Sequence, residues 1–155
     1  MLADGDKAPD FELPGDDGEK VRLSKLNGAP VVLYFYPKDD TSGCTVEAKD
    51  FTSLKAEFEK LGAKVIGISP DSVASHDKFK CKYGLTHLLL SDEEKAAANA
   101  YAVWVEKSMY GKKYMGVERS TFLVDGKGRV ARIWRKVKVP GHAEEVLSAV
   151  RALRE

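Results

Sequence analysis

Residues 31–45 read VVLYFYPKDDTSGCT, an apolar run that ends at a proline and is followed by a cysteine. The run at 31–36 has β-branched and aromatic residues without polar alternation, which is typical of a strand buried on both faces of a sheet. From about residue 43 to residue 61, apolar residues recur at helical spacing, at Phe51, Leu54, Phe58 and Leu61. The stretch therefore predicts a central strand ending at Pro37, a short loop, and a helix with Cys44 in its first turn.

The rest of the chain alternates between predicted strands and predicted helices. In chain order these are a hairpin around PGDDG at 14–18, the strand 31–36, the helix 43–61, a strand at 64–69, a helix from about 70 to 83, a strand at 87–92, a helix-prone segment at 93–102, a hairpin at 120–135 and a helix at 142–154. This order predicts an α/β, thioredoxin-like fold, with a central mixed sheet flanked by helices and an N-terminal β-hairpin extension. Because no repeat or linker interrupts it, we expect a single domain over residues 1–155.

Composition excludes several classes of protein. Hydrophobic residues make up 43% of the chain, charged residues 32%, and the net charge is +1, which argues against disorder. No apolar run approaches the ~20 residues that span a bilayer, and residues 1–11 lack a signal-peptide pattern, so we expect a cytoplasmic protein without a membrane partner. The basic cluster at 129–139 alternates apolar and charged residues as a half-exposed strand does, which favours a strand over a nucleic-acid surface.

Cys44 lies where a sulfur can become reactive. The first turn of a helix has unpaired amide N–H groups and the positive end of the helix dipole, both of which favour a thiolate. Thr41 replaces the first cysteine of a C-x-x-C motif, so its hydroxyl can donate to the sulfur but cannot form a disulfide with it. A small, inert, buried cysteine fits the same position, and the local pattern leaves both interpretations open.

The charges around Cys44 oppose a thiolate. Between residues 36 and 50, Lys38 and Lys49 stand against four carboxylates, a balance of minus two; the carboxylates are Asp39, Asp40, Glu47 and Asp50. Acidic neighbours disfavour the charged form of a thiol. A reactive Cys44 therefore requires a cation from elsewhere in the chain.

The segment YPKDDTSGCTVEA at 36–48 resembles the P-x-x-x-T-x-x-C active-site motif of the peroxiredoxins. Further segments resemble the peroxiredoxin Q, or bacterioferritin-comigratory, subfamily; these are GDKAPDFEL at 5–13, KVIGISPDS at 64–72, KYGLTHLLLSDEE at 82–94, EKSMYGKKYMGVERSTFLVD at 106–125 and VKVPGHAEEVL at 137–147. The resemblance implies a thioredoxin-like fold and a peroxidase that reduces hydrogen peroxide and organic hydroperoxides. It further implies recycling by thioredoxin or a similar dithiol reductant, a monomer, and no metal or organic cofactor.

The resemblance also assigns roles to individual residues. Cys44 matches the peroxidatic cysteine, which attacks a peroxide oxygen and becomes a sulfenic acid. Thr41 matches the threonine that holds the sulfur and the peroxide, and Pro37 matches the proline that shields the thiolate from water. Arg119 matches an arginine beside the active site, and it would supply the missing cation.

Further expectations concern the groups around this site. The backbone N–H groups of Gly43 and Cys44 are expected to complete the set of donors, and Glu47 is expected to orient Arg119. The three histidines lack metal-ligand spacing to one another or to the cysteines, and we expect them to be surface or capping residues. They are His76, His87 and His142.

The second cysteine of the chain is Cys81. Many subfamily members carry a resolving cysteine five residues after the first, where this chain has Lys49, whereas others place it in the helix that contains Cys81. The resemblance therefore implies a disulfide between Cys44 and Cys81. The alternatives are a one-Cys peroxidase recycled by an external thiol, or a non-catalytic redox sensor or holdase.

Helical spacing indicates how Cys81 is presented. It lies roughly opposite Phe79, so it faces outward between Lys80 and Lys82, whose charges favour a thiolate. A disulfide needs the two Cα atoms within about 7 Å, and two cysteines on different helices are expected to start farther apart. We therefore expect the segments around Cys44 and Cys81 to loosen when the disulfide forms.

Overall fold

A computed structural model describes residues 1–154 of the chain. The elements are β1 (Glu12–Pro14), β2 (Lys20–Arg22), β3 (Val31–Phe35), α1 (Ser42–Ser53), α2 (Lys55–Lys60), β4 (Lys64–Ser69), α3 (Val73–Tyr83), β5 (Leu88–Ser91), α4 (Ala96–Ala100), β6 (Trp104–Met109), β7 (Lys112–Val117), β8 (Ser120–Val124), β9 (Val130–Trp134) and α5 (His142–Arg154). A short 3-10 helix, Leu23–Leu26, follows β2.

The central sheet has five strands in the order β5-β4-β3-β8-β9. Strands β3, β4 and β5 are parallel, while β8 runs antiparallel to β3 and β9 antiparallel to β8. All five residues of β3 are buried, which explains why its sequence shows no polar alternation. The predicted mixed sheet is confirmed, as is the N-terminal hairpin of β1 and β2.

Helices cover both faces of this sheet. On one face, Val32 and Tyr34 of β3 belong to a core that also contains buried residues of α1, α2, α3 and α5. On the other face, Leu33 and Phe35 belong to a core that includes buried residues of α4 and the N-terminal hairpin. Alternate residues of one strand therefore serve two cores, as the period of a β-strand dictates. None of the helices within residues 1–154 has the length and apolar character needed to cross a membrane.

One prediction about the elements is wrong, and one hairpin was missed. The helix expected over 43–61 is two helices, because Leu54 leaves helical geometry with φ −101° and ψ 4°. Periodicity hides the break, since Phe51 and Phe58 on either side of it are buried in the same core. The hairpin of β6 and β7 was not predicted, because most of its residues are exposed and give no clear alternation of apolar and polar residues.

Candidate active site

Cys44 lies in the first turn of α1, directly beyond the carboxyl end of β3. Thr41 is the N-cap of this helix, with extended backbone dihedrals. The Cys44 side chain is buried, with 1% of its surface exposed. First-turn amides have no intrahelical acceptor, so the N–H groups of Gly43 and Cys44 are available to a bound anion or polar ligand.

Arg119 supplies a cation to Cys44. It lies between the end of β7 and the start of β8, and its Nη2 donates to Cys44 Sγ at 3.3 Å. Its Nη1 donates to Glu47 Oε1 at 2.6 Å. The structure therefore brings together three residues that are up to 75 positions apart in the chain. A guanidinium that bonds two acceptors has a fixed orientation, which a single contact would not give.

Glu47 lies one turn after Cys44 on the same face of α1 and is 1% exposed. Burial raises the pKa of Glu47 to about 7, although the Arg119 guanidinium acts in the opposite direction. Glu47 Oε2 has no hydrogen-bond partner within residues 1–154. Burial also acts to lower the pKa of Arg119, but Glu47 and the Cys44 thiolate outweigh it and raise that pKa. The arginine therefore stays charged beside the sulfur.

Gly43 allows the guanidinium to approach. A Cβ atom at this position would lie 3.2 Å from Arg119 Nη2, closer than most Cβ contacts in proteins. A glycine inside a helix normally costs stability, so its presence here needs a local reason. Sequence reasoning assigned a role to the Gly43 amide but missed this steric one.

Thr41 and Pro37 line the loop that leads into α1. The Thr41 hydroxyl donates to the Lys38 carbonyl at 2.9 Å rather than to Cys44 Sγ. Its oxygen keeps lone pairs that can accept a hydrogen bond from a ligand. Pro37 is half-buried just beyond the end of β3. The roles expected for these two residues in holding a peroxide and excluding water stay predictions.

The acidic pair before Thr41 is directed toward α3, not toward Cys44. Asp39 is buried and accepts from Ser75 Oγ at 2.8 Å and from His76 Nδ1 at 2.7 Å. Asp40 accepts from Lys82 Nζ at 2.8 Å. Both carboxylates are therefore paired with donors on α3. The local count of charges overstated the negative charge that acts on the sulfur.

All three histidines are buried, so the prediction of surface or capping residues is wrong. His76 is fully buried, and its two ring nitrogens face the Asp39 carboxylate and the Leu90 carbonyl oxygen, at 2.7 and 2.9 Å. Because both partners are acceptors, both nitrogens donate and the ring is protonated. Burial acts to lower the pKa of His76, but its bonds to Asp39 and Leu90 raise that pKa overall.

The other two histidines are buried in neutral form. His87 lies between the Tyr34 hydroxyl at 2.6 Å and the Thr52 hydroxyl at 3.0 Å, and burial lowers its pKa to about 3. His142 is joined to the Thr121 hydroxyl at 2.8 Å, and burial lowers its pKa to about 4. These partners are distant in sequence, so local context gave no sign of them.

A group of metal-ligating residue types occurs at the Asp39 carboxylate. Ligand atoms of Asp39, Asp71 and His76 lie within 4.8 Å of one another. Asp71 already accepts from the Asp39 amide and the Ser69 hydroxyl, and Asp39 accepts from His76. Hydrogen bonds among these residues and Ser69 therefore account for the close approach of the three side chains without a metal ion.

Cys81 faces outward from α3, as helical spacing predicted, and both cysteines are free. Its Sγ lies 4.0 Å from Asp77 Oδ1. The two flanking lysines expected to favour its thiolate are paired with carboxylates, Lys80 with Asp16 and Lys82 with Asp40. Cys44 is buried whereas Cys81 is exposed, and the two cysteines are not at disulfide distance.

A second cation near the site comes from the hairpin that was not predicted. The Lys107 side chain crosses Gly116, where a Cβ atom would lie 3.3 Å from its Cδ. Burial and the Arg119 charge lower the pKa of Lys107, while the Cys44 thiolate acts in the opposite direction. Lys107 forms no ion pair within the described part of the chain. Its positive charge therefore adds to that of Arg119 in the field around Cys44.

A model of the AhpC/TSA family matches residues 5–133. The chain belongs to the AhpC/TSA family. Among family members, it is 53% identical over 151 residues to the peroxiredoxin Bcp of Bacillus subtilis (strain 168), covering 97% of this chain and 96% of that protein. It is 41% identical over 147 residues to the peroxiredoxin Bcp of Escherichia coli (strain K12), covering 95% of this chain and 94% of that protein.

Solved structures of family members agree with this assignment. The bacterioferritin comigratory protein of Xanthomonas campestris, studied for its alkyl peroxide reduction activity through trapped intermediate and ligand complexes, superposes with a TM-score of 0.90 at 48% identity, covering 94% of this chain and 92% of that one. A PrxQ mutant from Xylella fastidiosa gives a TM-score of 0.95 at 42% identity, covering 100% and 99%. The thioredoxin-like peroxiredoxin fold and the predicted peroxiredoxin Q resemblance are confirmed.

Proposed function

We propose that this protein is a thiol peroxidase that reduces hydrogen peroxide and organic hydroperoxides through a sulfenic acid at Cys44. The observation that carries the proposal is the 3.3 Å contact from Arg119 Nη2 to the buried Cys44 Sγ. A fixed guanidinium stabilises the thiolate and leaves donors for an oxygen that approaches the sulfur. Relatives with the name peroxiredoxin, at 53% and 41% identity, support this function.

The reaction is a displacement at oxygen. The Cys44 thiolate attacks the terminal peroxide oxygen, an S–O bond forms, and the O–O bond breaks. The electron pair leaves on the alkoxide or hydroxide, which takes a proton from solvent. Negative charge thus moves from sulfur to the leaving oxygen, and Arg119 with the amides of Gly43 and Cys44 stabilises it along that line. Pro37 shields the thiolate, and the Thr41 oxygen accepts a hydrogen bond from the peroxide.

Cys81 is the resolving thiol in this proposal. Its thiolate attacks Cys44 Sγ, an S–S bond forms, the S–O bond breaks, and the departing hydroxide takes up a proton to become water. Thioredoxin or a similar dithiol then reduces the disulfide. The proposed enzyme is a cytoplasmic monomer without a metal or organic cofactor. A reducing cytoplasm keeps both cysteines as thiols between turnovers.

Peroxide consumption coupled to a thioredoxin system tests this function. Wild type should turn over, Cys44→Ser should be inactive, and Cys81→Ser should complete one fast oxidation and then stop. Full activity in Cys44→Ser would overturn the peroxidase proposal. Sustained thioredoxin-supported turnover in Cys81→Ser would instead assign a one-Cys mechanism.

A further inference from the structure

Two adjacent carboxylates join the loop before Cys44 to the helix that carries Cys81. The first, Asp39, forms the buried half of this connection. It accepts from the Tyr36 hydroxyl at 2.6 Å within its own loop, and from Ser75 Oγ and His76 Nδ1 of α3. Its backbone N–H donates to Asp71 Oδ2 at 2.8 Å, just before α3 begins. The first turn of α3 is thus bound to the loop by an ion pair that is shielded from solvent.

The second carboxylate, Asp40, forms the exposed half. It accepts from Lys82 Nζ at 2.8 Å and from the Tyr83 hydroxyl at 2.5 Å, the two residues that follow Cys81. Asp40 has φ +59°, a left-handed conformation that aspartate and asparagine tolerate better than most residues. The Tyr83 ring also lies under Lys49 of α1, with Nζ 5.1 Å from its centroid. The last turn of α3 is therefore connected to the loop and to α1.

We call the contacts of Asp39 and Asp40 with Ser75, His76, Lys82 and Tyr83 the loop–helix clasp. We propose that Asp39 and Asp40 are positioning residues for the disulfide step, because the loop–helix clasp must open before Cys81 can reach Cys44. This inference rests on the proposed function of the same site.

The two chemical steps place opposite demands on the clasp. Peroxide reduction needs the first turn of α1 in place, with Cys44 against Arg119, and Asp39 anchors the loop two residues before Thr41. Disulfide formation needs buried Cys44 and exposed Cys81 to meet. The clasp contacts both the first and the last turn of α3. While these contacts are formed, neither that helix nor the loop can move far. The fraction of molecules with the clasp closed therefore determines the lifetime of the sulfenic acid before the disulfide forms.

A sulfenic acid that has not yet formed the disulfide can instead be oxidised further. A second hydroperoxide can transfer its terminal oxygen to the sulfenate, forming a sulfinate and releasing the alcohol or water, with the O–O bond broken and sulfur oxidised again. That reaction takes place in the closed site, where Arg119 still contacts the sulfur. A tighter clasp therefore favours overoxidation, and a looser clasp favours the disulfide.

Variants of the exposed half test the inference without disturbing the core. Asp40→Asn keeps the shape and the left-handed backbone but removes the ion pair with Lys82. Tyr83→Phe removes one donor and keeps the ring. Glu12→Gln is the control, because it removes a comparably exposed ion pair, with Arg22, in the N-terminal hairpin. Urea unfolding of each variant verifies that it is folded.

Stopped-flow tryptophan fluorescence should separate Cys44 oxidation from disulfide formation, and mass spectrometry should give the sulfinate formed per turnover. In Asp40→Asn and Tyr83→Phe we expect disulfide formation to be about two- to five-fold faster and sulfinate formation to fall by a similar factor, the range expected for one exposed contact. Cys44 oxidation should stay within about two-fold of wild type, and Glu12→Gln should match wild type in both phases.

Disulfide formation at the wild-type rate in both clasp variants would overturn the inference, as would an equal acceleration in Glu12→Gln. Failure of the proposed function is distinguishable from either result. In that case wild type itself would show no peroxide-dependent oxidation, and there would be no disulfide phase to compare.

Discussion

The Arg119 guanidinium divides its donors between two acceptors on one face of α1, Cys44 Sγ and Glu47 Oε1. The carboxylate holds the guanidinium plane, so the other edge stays directed at the sulfur. When the thiolate becomes a sulfenic acid, the same donors remain in place for the leaving oxygen. Arg119 therefore brings both a positive charge and a directed donor to the sulfur, and Glu47 fixes its orientation.

Removing that residue should slow the chemistry strongly. We expect Arg119→Met to lower the second-order rate constant for Cys44 oxidation by about 10² to 10³-fold, the loss typical of one preorganised donor. Arg119→Lys keeps the charge but not the planar fork, so it should recover only part of the rate. Stopped-flow fluorescence measures this, with Arg129→Met as the control. Rates within two-fold of wild type in Arg119→Met would contradict the assignment.

Gly43 provides a finer test of the same geometry. In Gly43→Ala the new Cβ displaces the guanidinium by a few tenths of an ångström, and we expect up to about tenfold slower oxidation of Cys44. The free energy of unfolding should not fall, because alanine is the better helix former. The neighbouring Ser42→Ala should leave the rate unchanged. A wild-type rate in Gly43→Ala would show that the contact has no kinetic role.

At the scale of elements, sequence patterns predicted what periodicity and composition determine locally. β3 was predictable because all its residues are apolar and buried, and the first turn of α1 because Cys44 follows a strand and a loop. The break at Leu54 was not, since both helices bury residues in one core. The hairpin of β6 and β7 was missed because six residue pairs between the two strands define it, and its sequence does not alternate between apolar and polar residues.

The site was predictable only where its residues lie close together in the sequence. Cys44 and Thr41 lie in one short segment, whereas Arg119 entered only through the resemblance to peroxiredoxins. The pairing of Asp39 with His76 joins residues 37 positions apart and left no local pattern. Charge counting along the sequence could not show that a carboxylate was neutralised by a distant imidazolium. The single domain over residues 1–155 stays a prediction.

The elements that carry the two cysteines should loosen on oxidation. We expect faster amide hydrogen exchange in the first turn of α1, including Thr45, and in α3 up to Tyr83 when the disulfide forms. The central strands β3 and β4 should keep their protection, because their ladder does not depend on either cysteine. Comparing reduced and oxidised protein by mass spectrometry measures this. Equal protection of α1 and α3 in both forms would count against coupled local unfolding.

For the whole molecule, the buried histidines make stability depend on pH with defined signs. His87 and His142 have folded pKa values of about 3 and about 4, below the unfolded value of 6.5. Their contribution to the free energy of unfolding is therefore fully present above pH 6.5 and is lost as pH falls toward the folded pKa values. His76 acts in the opposite direction, because its pKa is raised: its contribution is present at low pH and is lost as pH rises.

His87→Gln isolates one of these contributions. Between pH 7.5 and pH 5, the free energy of unfolding of wild type should fall by about 2 kcal/mol more than that of the variant, which has no proton to take up at this position. Urea unfolding at both pH values gives the comparison. Parallel losses in the two proteins would show that His87 is not held neutral by burial.

One measurement tests the central claim most directly: intact mass spectrometry after adding one equivalent of hydrogen peroxide to reduced protein. Wild type should lose two hydrogen atoms as Cys44 and Cys81 form a disulfide. Cys81→Ser should gain one oxygen atom, which a sulfenic-acid trap should locate at Cys44. An unchanged mass in both proteins, or an oxygen on any residue other than Cys44, would contradict the account.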